Sequence, residues 1–227
     1  MNKSNDSKRT ILIVDDHPIN VDGYHTLLSN IESNKDAEYL FAFDCEQAYN
    51  SINKSQLLNS TIDFAFIDIS LPAYDAKKLF SGDDIGILIR KTFPQCKIII
   101  ISMHKEPLWV NQIFKSINPE GFIAKSDINY KCFPEIFLSI EKNEKYLSQS
   151  IKESQKILFQ KNISWDDNDS KILQLIAQGV KTKKIPDYIP LCLSAIEKRK
   201  ANIKKQLILN TGSDKELIDV AKKLGFL

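Results

Sequence analysis

Cysteine, histidine and glycine are all scarce in this sequence, and each scarcity argues against a class of functional site. The four cysteines lie far apart and form no C-x-x-C pair, which argues against a disulfide framework and against a zinc finger. The three histidines all lie in the first half of the chain, which makes a zinc enzyme a poor interpretation. No Gly-rich turn follows a predicted strand, as a flavin- or dinucleotide-binding protein would require.

Long apolar runs are also missing. No stretch reaches the ~18 uninterrupted apolar residues of a membrane span, so we expect no membrane partner. The segment Met1–Arg9 is polar and lacks the apolar core of a secretory signal, so we expect a cytoplasmic protein. Hydrophobic residues make up 43% of the chain and charged residues 26%, proportions that are typical of a folded protein and exclude disorder along its whole length.

The charge is distributed unevenly along the 227 residues, although the formal net charge is only +2. Residues 1–149 contain 16 Lys+Arg and 20 Asp+Glu, a net of −4, whereas residues 150–227 contain 15 and 9, a net of +6. An acidic front and a basic back are expected of a two-part protein in which one half faces nucleic acid.

The first half alternates short apolar runs with helix-like segments, and the second half contains no convincing strand. The runs are apolar throughout rather than alternating, as in parallel strands covered on both faces. They are Thr10–Val14, Tyr39–Ala42, Phe64–Ile67, Lys97–Ile101 and Gly121–Ala124. We therefore predict a doubly wound α/β domain over residues 1–147, a linker or connecting helix over 148–162, and an all-α domain over 163–227.

Polar side chains stand where the predicted strands end. Asp15 and Asp16 follow the first strand, Asp68 follows the third, Ser102 ends the isoleucine run and Lys125 ends the last strand. Because the carboxyl ends of parallel strands share one edge of the sheet, these groups are expected to converge on one crevice. The oxygen atoms of three carboxylates are the kind of ligands that suggest Mg²⁺. An aspartate can also attack phosphorus as a nucleophile.

The first 147 residues resemble the receiver domain of two-component response regulators. The matching motifs are I-L-I-V-D-D-H-P at Ile11–Pro18, F-I-D-I-S-L-P at Phe66–Pro72, I-I-I-I-S at Ile98–Ser102 and G-F-I-A-K at Gly121–Lys125. The resemblance implies a flavodoxin-like, five-stranded parallel sheet of order 2-1-3-4-5. It also implies that a sensor histidine kinase phosphorylates Asp68.

The same resemblance implies a role for each residue of the crevice. Ser102 and Lys125 would contact the phosphoryl group, and Phe122 matches the switch aromatic whose rotamer follows the state of the Ser102 loop. Asp16 would bind Mg²⁺ directly and Asp15 partly through water. Asp68 and the backbone carbonyl of Ser70 would complete the set of ligands.

Two features test this interpretation. In the rival class, phosphatases of the haloacid-dehalogenase type, a second aspartate acts as general acid two residues after the nucleophile. That position is Ser70 here, so rapid turnover lacks its proton donor. The segment Ala73–Asp83 is longer than in most receivers by roughly half a dozen residues. It is either a partner-specific element or a tolerated surface insertion.

The region from Ile163 to Leu227 is similar to the LuxR/NarL-type helix-turn-helix. The matching motifs are L-Q-L-I-A-Q-G at Leu173–Gly179, T-K-K-I at Thr182–Ile185, A-I-E-K-R-K-A-N-I-K-K-Q-L at Ala195–Leu207 and E-L-I-D-V-A-K-K-L-G at Glu216–Gly225. In that family the last of these helices commonly supports dimerisation, and a homodimer is expected on phosphorylation. The chain departs from the family at Pro186, Ala195 and Arg199, where alanine, threonine and histidine are usual.

The basic residues of this region predict contacts to DNA. Between Lys181 and Lys205 there are eight basic and two acidic residues. A basic second helix after a short turn is how a helix-turn-helix faces the major groove. We predict phosphate or base contacts from Lys183, Lys198, Arg199, Lys204 and Lys205. The alternative is a tail that binds protein rather than DNA.

Overall fold

A computed structural model of the chain describes residues 8–160, 165–207, 213–223 and 226–227. The chain divides into two compact units. The first contains Met1–Met103 and Ile113–Gln149, and the second contains His104–Gln112 and Ser150–Leu227. The predicted end of the linker, at Asn162 and Ile163, lies outside the described residues. Within the described ranges, none of the helices combines the length and apolar character that crossing a bilayer requires.

The first unit is built on a parallel sheet whose strands coincide closely with the apolar runs. Its order is β2-β1-β3-β4-β5-β6, so the predicted order 2-1-3-4-5 is confirmed for the first five strands. The strands are β1 (Thr10–Val14), β2 (Glu38–Ala42), β3 (Phe64–Asp68), β4 (Lys97–Ser102), β5 (Gly121–Ala124) and β6 (Tyr146–Leu147).

The sheet has one strand more than the five predicted. Strand β6 has two residues and pairs in parallel with β5, Tyr146 opposite Gly121 and Leu147 opposite Phe122. The hydroxyl of Ser148 then accepts the backbone N–H of Ala124 at 3.0 Å. A two-residue strand has too little sequence to carry a periodic pattern, so only its pairing with β5 defines it.

Five helices accompany the strands of the first half of the chain: α1 (Pro18–Ser29), α2 (Cys45–Leu57), α3 (Gly82–Thr92), α4 (Pro107–Ser116) and α5 (Phe133–Glu141). Helices α1 and α5 pack on one face of the sheet. Their aromatic and aliphatic side chains form one core with alternate strand residues, for example Tyr24 and Phe133 with Phe66. The remaining strand residues, such as Leu12 and Ile100, are equally buried, which explains why the strands are apolar throughout.

The second unit contains the helices of the C-terminal half: α6 (Gln149–Gln160), α7 (Asp167–Ala177), α8 (Leu193–Gln206) and α9 (Asp214–Lys223). Its core includes Trp165, Ile196 and Phe226. Within the region predicted to be all-α, the segment Thr182–Asp187 is a 3₁₀ helix with Pro186 inside it. Proline lacks the N–H that an α-helix needs and its ring clashes with the carbonyl four residues earlier, so the tighter turn replaces the α-helix.

Candidate functional site: an acidic crevice at the carboxyl edge of the sheet

Three charged side chains meet at the carboxyl edge of the sheet. Asp15 directly follows β1, Asp68 is the last residue of β3 and Lys125 directly follows β5. The ammonium Nζ of Lys125 lies 2.9 Å from Oδ2 of Asp15 and 2.7 Å from Oδ2 of Asp68. One cation thus joins residues that are 110 and 57 positions away in the chain.

Asp68 is the most unusual of these groups, because its carboxylate is buried and only half satisfied. The residue is 2% exposed, and its Oδ1 has no hydrogen-bond partner among the described residues. Burial, with a smaller contribution from the charge of Asp15, raises the pKa of Asp68 above its ordinary value, although Lys125 opposes the shift. Burial alone would lower the pKa of Lys125, but its hydrogen bonds to Asp68 and Asp15 outweigh burial and raise it.

The neighbouring groups offer oxygen and nitrogen ligands for a cation. One ligand atom each from Asp15, Asp16 and His17 lies within 4.8 Å of the others. The three carboxylates of the crevice and the one ammonium of Lys125 leave a formal charge of −2, which one divalent cation would cancel. The free oxygen of Asp68 and the carboxylate-rich donor set fit a hard cation such as Mg²⁺.

The other predicted residues lie on or beside the same strands. Ser102 is the last residue of β4, fully buried, and pairs in register with Ala124 of β5. Phe122 is fully buried, and its ring centroid lies 5.8 Å from that of Phe114 in α4. Ser70, two residues past β3, is exposed. The sheet topology therefore brings Ser102 and Ser70 to the edge that holds Asp68, whereas Phe122 lies inside the sheet, paired with Ile100.

Two residues that the sequence analysis did not single out also shape the crevice. The side-chain amide of Asn20, in the first turn of α1, donates to both oxygens of Asp15, at 3.0 and 3.1 Å. Gly82, the first residue of α3, packs against the backbone of Asp68 so closely that a Cβ there would lie 1.9 Å from the carbonyl oxygen. The sequence offered no signal for Asn20, because α1 carries several other polar residues, such as Asp22 and Thr26.

The long segment after β3 folds into a compact hairpin. Tyr74 and Leu79 exchange backbone hydrogen bonds at 2.7 and 3.2 Å around a 3₁₀ turn, Asp75–Lys77. The ring of Tyr74 contacts that of Tyr49 in α2, with centroids 5.8 Å apart. The insertion is therefore an ordered element that follows the strand bearing Asp68.

The predicted DNA-contacting cations of the second unit fall into two groups. Lys183, Lys198 and Lys205 are exposed. Arg199 instead donates to Asp166 at 2.7 Å and to Asp169 at 2.9 Å, the two residues that form the capping box of α7. Lys204 lies 3.5 Å from Asp214, a carboxylate that also binds Lys200 at 2.6 Å.

These ion pairs perturb the carboxylates. Burial opposes ionisation of Asp166, but hydrogen bonds from the Asp169 backbone and Arg199 lower its pKa below the ordinary value. The same balance applies to Asp214, where Lys200 outweighs burial and lowers the pKa. Part of the basic surplus of α8 is thus neutralised inside the unit.

Comparison with known proteins agrees with this geometry. The transcriptional regulatory protein RcsB of Salmonella typhi is 24% identical over 205 residues, which cover 87% of each chain. A solved RcsB–DNA complex has a TM-score of 0.61 at 21% identity and covers 95% of this chain and 98% of that chain. RcsB from Salmonella enterica serovar Typhimurium, bound to a promoter with the phosphomimetic BeF₃⁻, has a TM-score of 0.63 at 20% identity, with 96% and 98% covered.

At this level of identity the solved structures show a shared fold. A family model gives the stronger statement, because the response regulator receiver domain matches residues 11–129, just over half of the chain. That range contains β2 to β5, all of β1 except Thr10, and every residue of the acidic crevice. The chain belongs to the response regulator receiver domain family.

Proposed function

We propose that this chain is a two-component response regulator in which a sensor histidine kinase phosphorylates Asp68 and the C-terminal helices bind DNA to regulate transcription. The observation that carries the first part is the contact of Lys125 with both Asp15 and the buried Asp68, whose second oxygen is unoccupied by any described donor. We assign the receiver to residues 1–147, a linker or connecting helix to 148–162 and the output domain to 163–227.

Phosphorylation uses the free oxygen of Asp68. This atom attacks the phosphorus of a phosphohistidine, the oxygen–phosphorus bond forms as the phosphorus–nitrogen bond breaks, and the imidazole of the kinase leaves. Lys125 neutralises charge that develops on the phosphoryl oxygens, because such chemistry consists mainly of positioning and charge neutralisation. The hydroxyl of Ser102 donates to the same group. The protein acts as a phosphoacceptor rather than as a turnover enzyme.

The metal site consists of Asp16, Asp15, Asp68 and the backbone carbonyl of Ser70. Bound Mg²⁺ supplies positive charge that offsets the carboxylates and the incoming phosphoryl group. The imidazole of His17, 2.6 Å from Oδ1 of Asp16, orients that carboxylate.

The response to phosphorylation is a population shift between two arrangements of the Ser102 loop. Phe122 follows that loop because it pairs with Ile100 of the same strand as Ser102 and contacts Phe114 of α4. We propose that the shift favours a homodimer and DNA binding. RcsB, the relative with a similar fold, has been solved with DNA, which supports this output.

The DNA-binding surface is the exposed side of α8. At about 100° per residue, Ser194, Lys198, Ala201 and Lys205 align on the side opposite the buried Ile196 and Ile203. A helix with this basic outer face suits the major groove. Lys183 adds an exposed cation from the preceding 3₁₀ helix.

The phosphorylation step is tested with a small phosphodonor, such as phosphoramidate, in the presence of Mg²⁺. Labelling should disappear in Asp68→Asn and persist in Asp22→Asn, which removes an exposed carboxylate of α1. Persistent labelling of Asp68→Asn would refute the assignment of the phosphoacceptor.

The DNA step is tested through the salt dependence of binding. Lys198→Ala should lower the slope of log K against log salt by about one and leave stability unchanged within ~0.5 kcal/mol. Arg199→Ala is the matched neighbour. Because Arg199 is committed to Asp166 and Asp169, we expect a smaller slope change and a loss of stability.

A protein-binding output is the second candidate. It is favoured by Pro186, because the first helix of the expected helix-turn-helix is here a 3₁₀ helix that contains this proline. A phosphorylated chain that ignores DNA at low salt would support this alternative.

A further inference from the structure

The buried carboxylate of Asp15 accepts hydrogen bonds from three groups of this chain. Its Oδ1 accepts the backbone N–H of His17 at 3.0 Å and the amide of Asn20 at 3.0 Å. Its Oδ2 accepts Lys125 at 2.9 Å and the same amide nitrogen of Asn20 at 3.1 Å. Asp15 is only 1% exposed, so these protein donors take the place of water.

Asn20 occupies an uncommon place for this role. It is the third residue of α1, where a short polar side chain more often bonds to the nearby backbone. Here the half-buried side chain points to the crevice and reaches back five residues to Asp15. The first turn of α1 thus supplies a neutral donor to a buried anion.

The donor matters because Lys125 has two tasks. In this structure it divides its hydrogen bonds between Asp15 and Asp68. When a phosphoryl group is attached to Asp68, the ammonium must turn to the phosphoryl oxygens. Oδ2 of Asp15 then keeps Asn20 as its donor, because the backbone N–H of His17 bonds to Oδ1, and a buried oxygen without a donor would compete for Lys125.

We propose that Asn20 is a positioning residue that fixes the carboxylate of Asp15 and thereby frees Lys125 for the phosphoryl group. This inference rests on the proposed phosphorylation of Asp68. It assigns Asn20 to the part of the crevice that would hold Mg²⁺ through Asp15, so loss of the amide weakens both cation binding and phosphoryl transfer.

The experiment measures phosphorylation of the full chain by phosphoramidate at a series of Mg²⁺ concentrations. A hydrogen bond to a charged group corresponds to about a tenfold change in an equilibrium constant. We therefore expect Asn20→Ala to raise the Mg²⁺ concentration for half-maximal labelling about tenfold. Asn20→Asp keeps the shape of the side chain but loses the N–H donor, so it should also raise the Mg²⁺ concentration for half-maximal labelling. Asn20→Gln keeps the donor and should stay within about threefold of the unmodified chain.

The matched control is Asn30→Ala, at the far end of α1. That amide also donates one hydrogen bond, to the carbonyl of Thr26 at 2.9 Å, but it is remote from Asp15. A second readout is the rise in melting temperature that Mg²⁺ produces, which should shrink in Asn20→Ala and not in Asn30→Ala. Equal Mg²⁺ dependence of Asn20→Ala and the unmodified chain, or of Asn20→Ala and Asn30→Ala, would overturn the role of Asn20. Absence of labelling in the unmodified chain would refute the proposed function instead, and the melting shift would still report on Asn20.

Discussion

Gly82 is the residue at which the structure makes its sharpest prediction about stability. It begins α3, and its backbone N–H donates to the carbonyl of Ile69 at 2.9 Å. A methyl group on Gly82 would lie 1.9 Å from the carbonyl oxygen of Asp68 and 2.9 Å from Cα of Ile69. These are backbone atoms at the end of β3, a strand that is paired on both sides, so no side chain can rotate away to make room.

The magnitude follows from the size of the overlap. Carbon and oxygen atoms without a strong bond approach to about 3.3 Å, so Gly82→Ala must separate α3 from β3 by roughly 1.4 Å. Overpacking of this kind typically destabilises by about 1–3 kcal/mol, and the better helix propensity of alanine returns at most about 1 kcal/mol. We expect a net loss of about 1–2 kcal/mol and a melting temperature lower by about 2–8 °C.

The assay compares two alanine variants by calorimetry and by phosphodonor labelling. Gly23 lies inside α1 and has no atom within 4 Å of the position of a Cβ. Gly23→Ala should therefore raise stability by about 0.5–1 kcal/mol. Gly82→Ala should also slow labelling, because it displaces the backbone of Asp68. If Gly82→Ala were as stable as Gly23→Ala and labelled normally, the close approach of α3 to the crevice would be refuted.

Two further predictions concern the ion pairs. Arg199→Ala should destabilise the C-terminal helices by about 1–2 kcal/mol, as measured by urea unfolding, because the 7%-exposed side chain of Asp169 loses its cation; equal stability of Arg199→Ala and Lys198→Ala would contradict this. Asp68→Asn should stabilise the Mg²⁺-free receiver at pH 7, since burial and the charge of Asp15 outweigh Lys125 and raise the pKa of Asp68. A raised pKa means that the native state binds the proton more tightly than the unfolded state does. The lower stability of the unmodified chain relative to Asp68→Asn should therefore vanish as the pH falls through the raised pKa of Asp68 towards about 4. A difference in stability between the two chains that persists at pH 4 would exclude ionisation of Asp68 as its cause.

Much of the receiver fold was predictable because its strands are marked by unbroken apolar runs. The run Lys97–Ile101 predicts β4 to within one residue, and topology alone then brings Asp15, Asp68 and Lys125 to one edge. Strand β6 was not predictable, since two residues carry no period and only the hydrogen bonds of Ser148 and its neighbours define it. The role of Asn20 also requires coordinates, because one polar residue on a helix does not reveal its partner.

The basic surplus of the second half shows why a sum of charges cannot by itself predict contacts to DNA. The carboxylates of Asp166, Asp169 and Asp214 neutralise cations that the sequence places on the same helix as Lys198. A cation that is held by a carboxylate must break that pair before it binds a phosphate, and so contributes less to affinity than an exposed one. Since the buried faces of α7 and α8 determine which cations are paired, the part of the surplus left for DNA depends on how the helices pack. The difference between the salt slopes of Lys198→Ala and Arg199→Ala therefore reports which of the two cations is paired with a carboxylate.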